Sequence, residues 1–323
     1  MGKKFKGIGC PCVTPFDEEE SLDLAKLREL VDFLINSEIN AIIPASNCGE
    51  SYSLTDTEYH QLIDTVIDQV NNDVPIYVGL PTESNTHILS IAKYATEAGV
   101  DGLVLYPPRI PSLTIQELVN HFEFISSKVD SNLLVVNDPD HCKLDLSVEL
   151  ISKISKFDNV VGLVELSSDF KKIPLISAKV SDGFLVYTGR GLLVPQAIKE
   201  GGVEGAIVPS ANVVPNLLSE LYEAYNVEVK DRFEEIQTML IPLEIGLKLG
   251  SFPAAIKASL NMLGVNVGNP RSPISSLSEG DLEKLRNILI SAGCIRPPIP
   301  EEETESTNSG KESKKTNAKK KTT

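Results

Sequence analysis

Basic residues are in short supply. The chain of 323 residues carries 30 Lys and Arg against 45 Asp and Glu, a formal net charge of −15. Phosphate backbones are held by clustered Lys and Arg, so this balance argues against a nucleic-acid partner and reads instead as a contribution to solubility. Long apolar runs are also missing. Nothing approaches the roughly 20 residues of a membrane helix, and the start MGKKFKGIGC lacks the apolar region of a signal peptide. The expectation is a cytoplasmic protein with no membrane partner. The five cysteines, Cys10, Cys12, Cys48, Cys142 and Cys294, are scattered and form no CxxC pair, which suits free thiols in a reducing compartment. Of the four histidines, His60, His87 and His121 fall in helical patterns and call for no function.

What is present is a rhythm. From Gly7 to about Pro215, short apolar runs (GIGCPCVT, NAIIPAS, PIYVGL, GLVLY, NLLVVN, VVGLVE, FLVYTG, EGAIVP) alternate with amphipathic segments such as LDLAKLRELVDFLIN. Eight such βα units predict a (β/α)8 barrel. An open doubly wound sheet usually has fewer strands and a Gly-rich phosphate loop after the first, whereas here the first strand runs into VTPF. Pro11 is an anomaly, since proline donates no ladder hydrogen bond; either the strand begins after it or a bulge lies there. The expected organisation is a barrel over residues 1–215, a helical region over 216–296 with Ser278 as a helix cap, and a charged tail over 297–323. That tail has almost no apolar residues and is expected to be disordered.

Active sites of this architecture lie at the C-terminal ends of the strands. VTPF at Val13 to Phe16, GES at Gly49 to Ser51, NDP at Asn137 to Pro139, GLVELSSD, EGAIVPSANVVP and KASLNMLGVNVGNPRSPISSLSE occupy or follow those ends. In these motifs the chain resembles the dihydrodipicolinate synthase and N-acetylneuraminate lyase family over about residues 7 to 295. The resemblance implies a (β/α)8 barrel, commonly a homotetramer, that condenses or cleaves pyruvate-like 2-oxo acids through a lysine Schiff base, with no cofactor or metal. It also implies substrate-binding positions at Asn47, Cys48, Gly49, Arg190 and Ile207.

The catalytic positions of that family are altered. The strand-six lysine position is Val164, followed by Glu165, and the strand-five tyrosine position is Val136. Imine formation needs a neutral amine, and valine has no such atom. The hydroxyl-bearing loop reads Ser46-Asn47-Cys48-Gly49-Glu50, the second tyrosine position falls near Pro108 and Arg109, and the arginine after strand five falls at His141. The backbone-shaping residues Pro15, Gly49, Pro139, Gly162, Gly189 and Asn212 remain. This pattern keeps the frame and drops the imine chemistry. Val136 and Val164 are equally ordinary fillers of a barrel core.

Other chemistry would have to come from Asn47, Cys48, Glu50, Arg109, Asn137, Asp138, His141, Cys142, Glu165 and Arg190. His141 and Glu165 form a conceivable acid-base pair, against the alternative of a surface histidine and a locally paired carboxylate. Arg109 and Arg190 offer forks for an anion or plain salt bridges. Cys48, His141 and Cys142 lack zinc-site spacing, and Cys48 as a nucleophile based by His141 competes with a buried thiol. A relocated Schiff-base lysine would be Lys143, Lys171 or Lys172, all expected to be solvated. Three readings follow: an inactive or altered family member that keeps a pocket for a small anionic or 2-oxo-acid ligand, alone as a homo-oligomer or beside an active paralogue; a lyase using Glu165, His141 or Asp138 for proton transfer; and an aldolase with a relocated lysine.

Overall fold

A computed structural model describes residues 2–110 and 113–296. The expected charged tail, 297–323, lies outside the described residues. Eight parallel strands are present: β1 (Gly7–Cys10), β2 (Ala41–Ile42), β3 (Tyr77–Gly79), β4 (Gly102–Leu105), β5 (Asn132–Asn137), β6 (Val160–Glu165), β7 (Leu185–Thr188) and β8 (Gly205–Ile207). They pair in the order β2-β1-β8-β7-β6-β5-β4-β3, and a parallel bridge between Ile42 and Ile76 brings the two ends of the sheet together. This is the (β/α)8 barrel that the alternating pattern predicts. β1 ends at Cys10, so Pro11 neither precedes the strand nor sits in a bulge. It lies just beyond the ladder, where its missing N–H costs nothing, and its carbonyl accepts a hydrogen bond from Asn212 Nδ2 at 3.0 Å.

The ring helices form where apolar residues recur at helical spacing. In Leu24–Asn36 the buried residues are Leu27, Leu30, Val31 and Leu34, a single stripe that packs inward. Thr55 with Glu58 and Thr114 with Glu117 form capping boxes for the helices Asp56–Val70 and Ile115–Ser126. After β8 the chain enters helix Pro215–Asn226, which packs against β1 and so takes the eighth place in the ring. Helices Lys230–Gly246, Ala254–Met262 and Glu279–Ser291 follow and pack on one another. Ser278 caps the last of these, accepting from the Asp281 amide.

Within the barrel, Phe5 from the N-terminal segment stacks on Tyr187 with ring centroids 4.8 Å apart and meets Tyr77 edge-on at 5.6 Å. Tyr187 Oη donates to the Phe5 carbonyl and Tyr77 Oη to that of Lys3. These contacts fill the floor. Above them lie Ile43, Val104, Val136, Val164 and Ile207. The backbone-shaping glycines are explained by close approach: a Cβ at Gly162 would sit 2.5 Å from the Leu185 carbonyl oxygen, and one at Gly49 would sit 2.9 Å from that of Cys12.

Candidate functional site

Alternation along each strand decides which side chains reach the mouth. Val136 on β5 and Val164 on β6 are register partners and belong to the interior cluster with Tyr106 and Leu166. Together with Ile43, Asn47, Cys48, Ile207 and Phe252 they line a cavity of about 80 Å³. No lysine among the described residues lines it.

The next residue on each strand points the other way. Glu165 is buried and accepts from Asn137 Nδ2 at 2.9 and 3.0 Å and from the Ser167 amide at 2.7 Å. Lys172 Nζ lies 3.8 Å from Glu165 and bonds Asp145. Burial pushes the Glu165 carboxyl up, with Lys172 and the hydrogen bonds pulling it back. Asn137 completes this network by donating to Asp145 and accepting from the Leu146 amide. Glu165 lines neither cavity at the mouth and makes no contact with His141, so the two are not brought together as an acid-base pair. Lys172 is buried, contrary to the expectation that it is solvated, because the first turn of helix Lys172–Ser177 presses it against Glu165. Lys171 and Lys143 are exposed, and Lys143 Nζ donates to the Asp140 carbonyl.

His141 does face the mouth. The short helix Pro139–Cys142 is capped by Asp138, whose carboxylate accepts from His141 Nδ1 at 2.8 Å. That bond raises the imidazole above its ordinary value of 6.5, against the opposing effects of burial and of nearby Arg109. Asp138 is buried, and both residues line the small cavity and a larger chamber above it. The chamber is about 350 Å³ and lies between the barrel mouth and the C-terminal helices. Its wall includes Arg190, Ser210, Glu244, Lys248 and Phe252.

Arg190 Nη1 donates to Asp140 at 2.9 Å and to the Leu166 carbonyl at 2.9 Å. It is thus held by a half-exposed ion pair while its guanidinium borders the chamber. Arg109 Nη2 donates to Asn47 Oδ1 at 2.9 Å, and the Asn47 amide reaches Tyr106 Oη at 3.4 Å. Cys48 is buried and its thiol is pushed well up by desolvation; its sulfur accepts a long bond from Asn212 Nδ2 at 3.8 Å. Such a thiol is a packing group. Cys142 is likewise raised by burial, to about 11. Among the described residues, no group of three His, Cys, Asp or Glu side chains is placed to hold a metal ion, and no helix is long and apolar enough to cross a membrane. His60 stacks on Tyr94, His87 pairs with Asp56 and His121 bonds Asn85.

Sequence reasoning passes over Tyr106, Ser210, Glu244, Lys248, Phe252 and Lys257. Tyr106 closes the β4 run and carries a signal in GLVLY, a phenol at the end of a buried strand. Glu244, Lys248 and Phe252 come from a region read only as helical packing, and no local pattern distinguishes them, whereas Lys257 opens the KASLNMLGVNVGNP motif without its role being visible there.

A model of the Dihydrodipicolinate synthetase family matches residues 4–292. A 4-hydroxy-tetrahydrodipicolinate synthase of a Thermoanaerobacter species is 31% identical over 293 residues, covering 90% of this chain and 98% of the relative. The dihydrodipicolinate synthase of Bacillus anthracis superposes with a TM-score of 0.87 at 27% identity, covering 90% and 99% of the two chains. That of Thermotoga maritima gives 0.86 at 29% identity, with 90% and 99% covered.

Proposed function

The chain belongs to the dihydrodipicolinate synthetase family of aldolase-type synthases and lyases, and from that premise we propose that this member forms no lysine imine on β6 and instead holds a small carboxylic acid in the chamber above it. One observation carries the reading: Val136 and Val164 together close the inner cavity where the family resemblance expects a tyrosine and a lysine. An apolar wall of branched side chains offers a substrate carbonyl neither a nucleophile nor a proton. The chamber keeps Arg190 at its border, and a guanidinium fork suits a carboxylate. On this reading the protein is a silent or altered member, assembled with itself or with an active paralogue.

A second reading rests on the Asp138–His141 pair. Asp138 fixes one ring nitrogen and leaves Nε2 for a ligand in either cavity, the arrangement of an oriented general base. Proton transfer would then fall to His141 with Asp138 behind it, and Glu165 would serve the scaffold. A relocated lysine would be Lys248, the lysine on the chamber wall, which is exposed.

The test is intact mass spectrometry after borohydride treatment with pyruvate and a panel of 2-oxo acids, beside an active family enzyme. The expected result is no adduct on this chain while the control is labelled. A labelled lysine would overturn the reading, and peptide mapping would show whether it is Lys248. Calorimetric titration with small mono- and dicarboxylates tests the chamber: binding weakened by Arg190→Met is expected, and no binding by any of them would sink the carboxylate reading.

A further inference from the structure

Four carboxylates among the described residues are buried: Glu50, Asp138, Glu165 and Glu244. Three have partners, Glu50 in Lys257, Asp138 in His141, and Glu165 in Asn137, Ser167 and Lys172. Glu244 is different. It is 8% exposed, makes no ion pair, and its Oε1 has no hydrogen-bond partner. Ser210, 1% exposed, turns its hydroxyl toward that carboxyl and steadies its charged form, but the two do not close a well-formed hydrogen bond and neither the hydroxyl nor Glu244 Oε1 has another partner. Both side chains line the 350 Å³ chamber, one from the helix Lys230–Gly246 and the other from the turn after β8.

An unsatisfied buried polar group is costly, and two on one cavity wall are rarely left without a purpose. The backbone opposite makes room for the carboxyl: a Cβ on Gly191 would lie 1.9 Å from Glu244 Cδ. Burial pushes Glu244 up, with Ser210 and then Lys248 drawing it back, so the carboxyl lacks a strong cationic partner of its own. What Glu244 Oε1 lacks is a well-placed donor of its own.

We propose that Glu244 and Ser210 form a polar subsite that reads a donor group, hydroxyl or ammonium, on the ligand of the chamber. The proposal rests on the reading that the chamber takes a carboxylic acid, and it narrows that acid to the hydroxy and amino acids. The ligand's carboxylate belongs to Arg190 and its donor group to Glu244 and Ser210. Glu244 thereby sets specificity rather than reaction.

The test is calorimetric titration of the full chain with length-matched acids: hexanoate, 6-hydroxyhexanoate and 6-aminohexanoate, with the four-carbon counterparts of each. A donor-bearing acid is expected to bind roughly tenfold or more tightly than its parent acid, the worth of a buried hydrogen bond to a carboxyl. Glu244→Met and Ser210→Ala, the second a small change that spares the fold, should each bring that ratio close to one while leaving the parent acid's affinity in place. Gly191→Ala should lower the ratio too, by pushing the carboxyl aside. Arg190→Met should weaken all the acids alike. Equal affinities for parent and donor-bearing acids overturn the subsite but leave the carboxylate chamber standing. A preference that survives both Glu244→Met and Ser210→Ala overturns it as well, and no binding by any acid overturns both.

Discussion

Lys257 Nζ lies 2.6 Å from Glu50 Oε1, and both side chains are sealed from solvent. Lys257 belongs to the helix Ala254–Met262 and Glu50 to the loop after β2, so the pair pins the C-terminal helices to the barrel mouth. Phe16 supports it, with Lys257 Nζ 4.3 Å and Arg271 Cζ 4.1 Å from the ring centroid. The Arg271 amide donates to the other Glu50 oxygen at 2.9 Å, and the Arg271 guanidinium clamps Glu58. Desolvation lowers the Lys257 amine and Glu50 opposes that shift. The loop carrying Asn47 and Cys48 is held in place by this anchor.

Breaking the anchor on one side leaves a buried charge without its counterion. Lys257→Met is expected to cost about 3–5 kcal/mol in urea unfolding, and the Lys257→Met/Glu50→Gln double variant to recover part of that loss. Additive losses from the two single changes would show that the pair is not coupled.

The Glu165 network behaves as scaffold. Lys172→Met should destabilise the fold by about 3 kcal/mol, whereas Glu165→Gln should leave the chamber's affinity for carboxylates within a factor of about two, because the group faces away from it. A large loss of ligand affinity in Glu165→Gln would return that residue to the site.

His141 titrates above 6.5 because Asp138 favours its charged form. The pair therefore stabilises the fold fully below the ordinary histidine value, and the contribution fades as pH rises through the raised one. NMR titration of the His141 ring should give a midpoint above 6.5 in the wild type and a lower one in Asp138→Asn. The stability gap between those two proteins should be wider near pH 6 than near pH 8.

Restoring the amine tests whether the frame still supports imine chemistry. Val164→Lys overfills a cavity of about 80 Å³ and is expected to cost about 1–3 kcal/mol. It should also gain a borohydride-trappable pyruvate adduct that the wild type lacks, since burial lowers an amine toward its neutral, nucleophilic form. A stable but unlabelled variant would mean that the mouth no longer admits the acid.

The barrel is legible because each strand is a short apolar run and each ring helix a stripe with caps such as Thr55 and Thr114. Val136 and Val164 are legible as well, since strand alternation fixes their direction. Lys172 misleads because SSDFKK reads as a polar loop, and nothing local says that its first helical turn presses on Glu165. Glu244 is invisible, and Lys257 is marked only by the motif it opens, for a different reason: each acquires its meaning from Gly191 or Glu50, partners dozens to hundreds of residues away that only the closed fold supplies. Pro11 shows the limit of boundaries, where a single residue decides whether a proline is inside a ladder or past it.

The tyrosine-fastened Phe5 stoppers the bottom of the barrel, leaving the inner cavity facing the C-terminal rim. His141 and Phe252 line both the inner cavity and the chamber above it, so an acid moving between the two passes them. Traffic is thereby controlled at the rim, so substitutions at Phe252 should alter how fast a ligand comes and goes more than how tightly it is finally held.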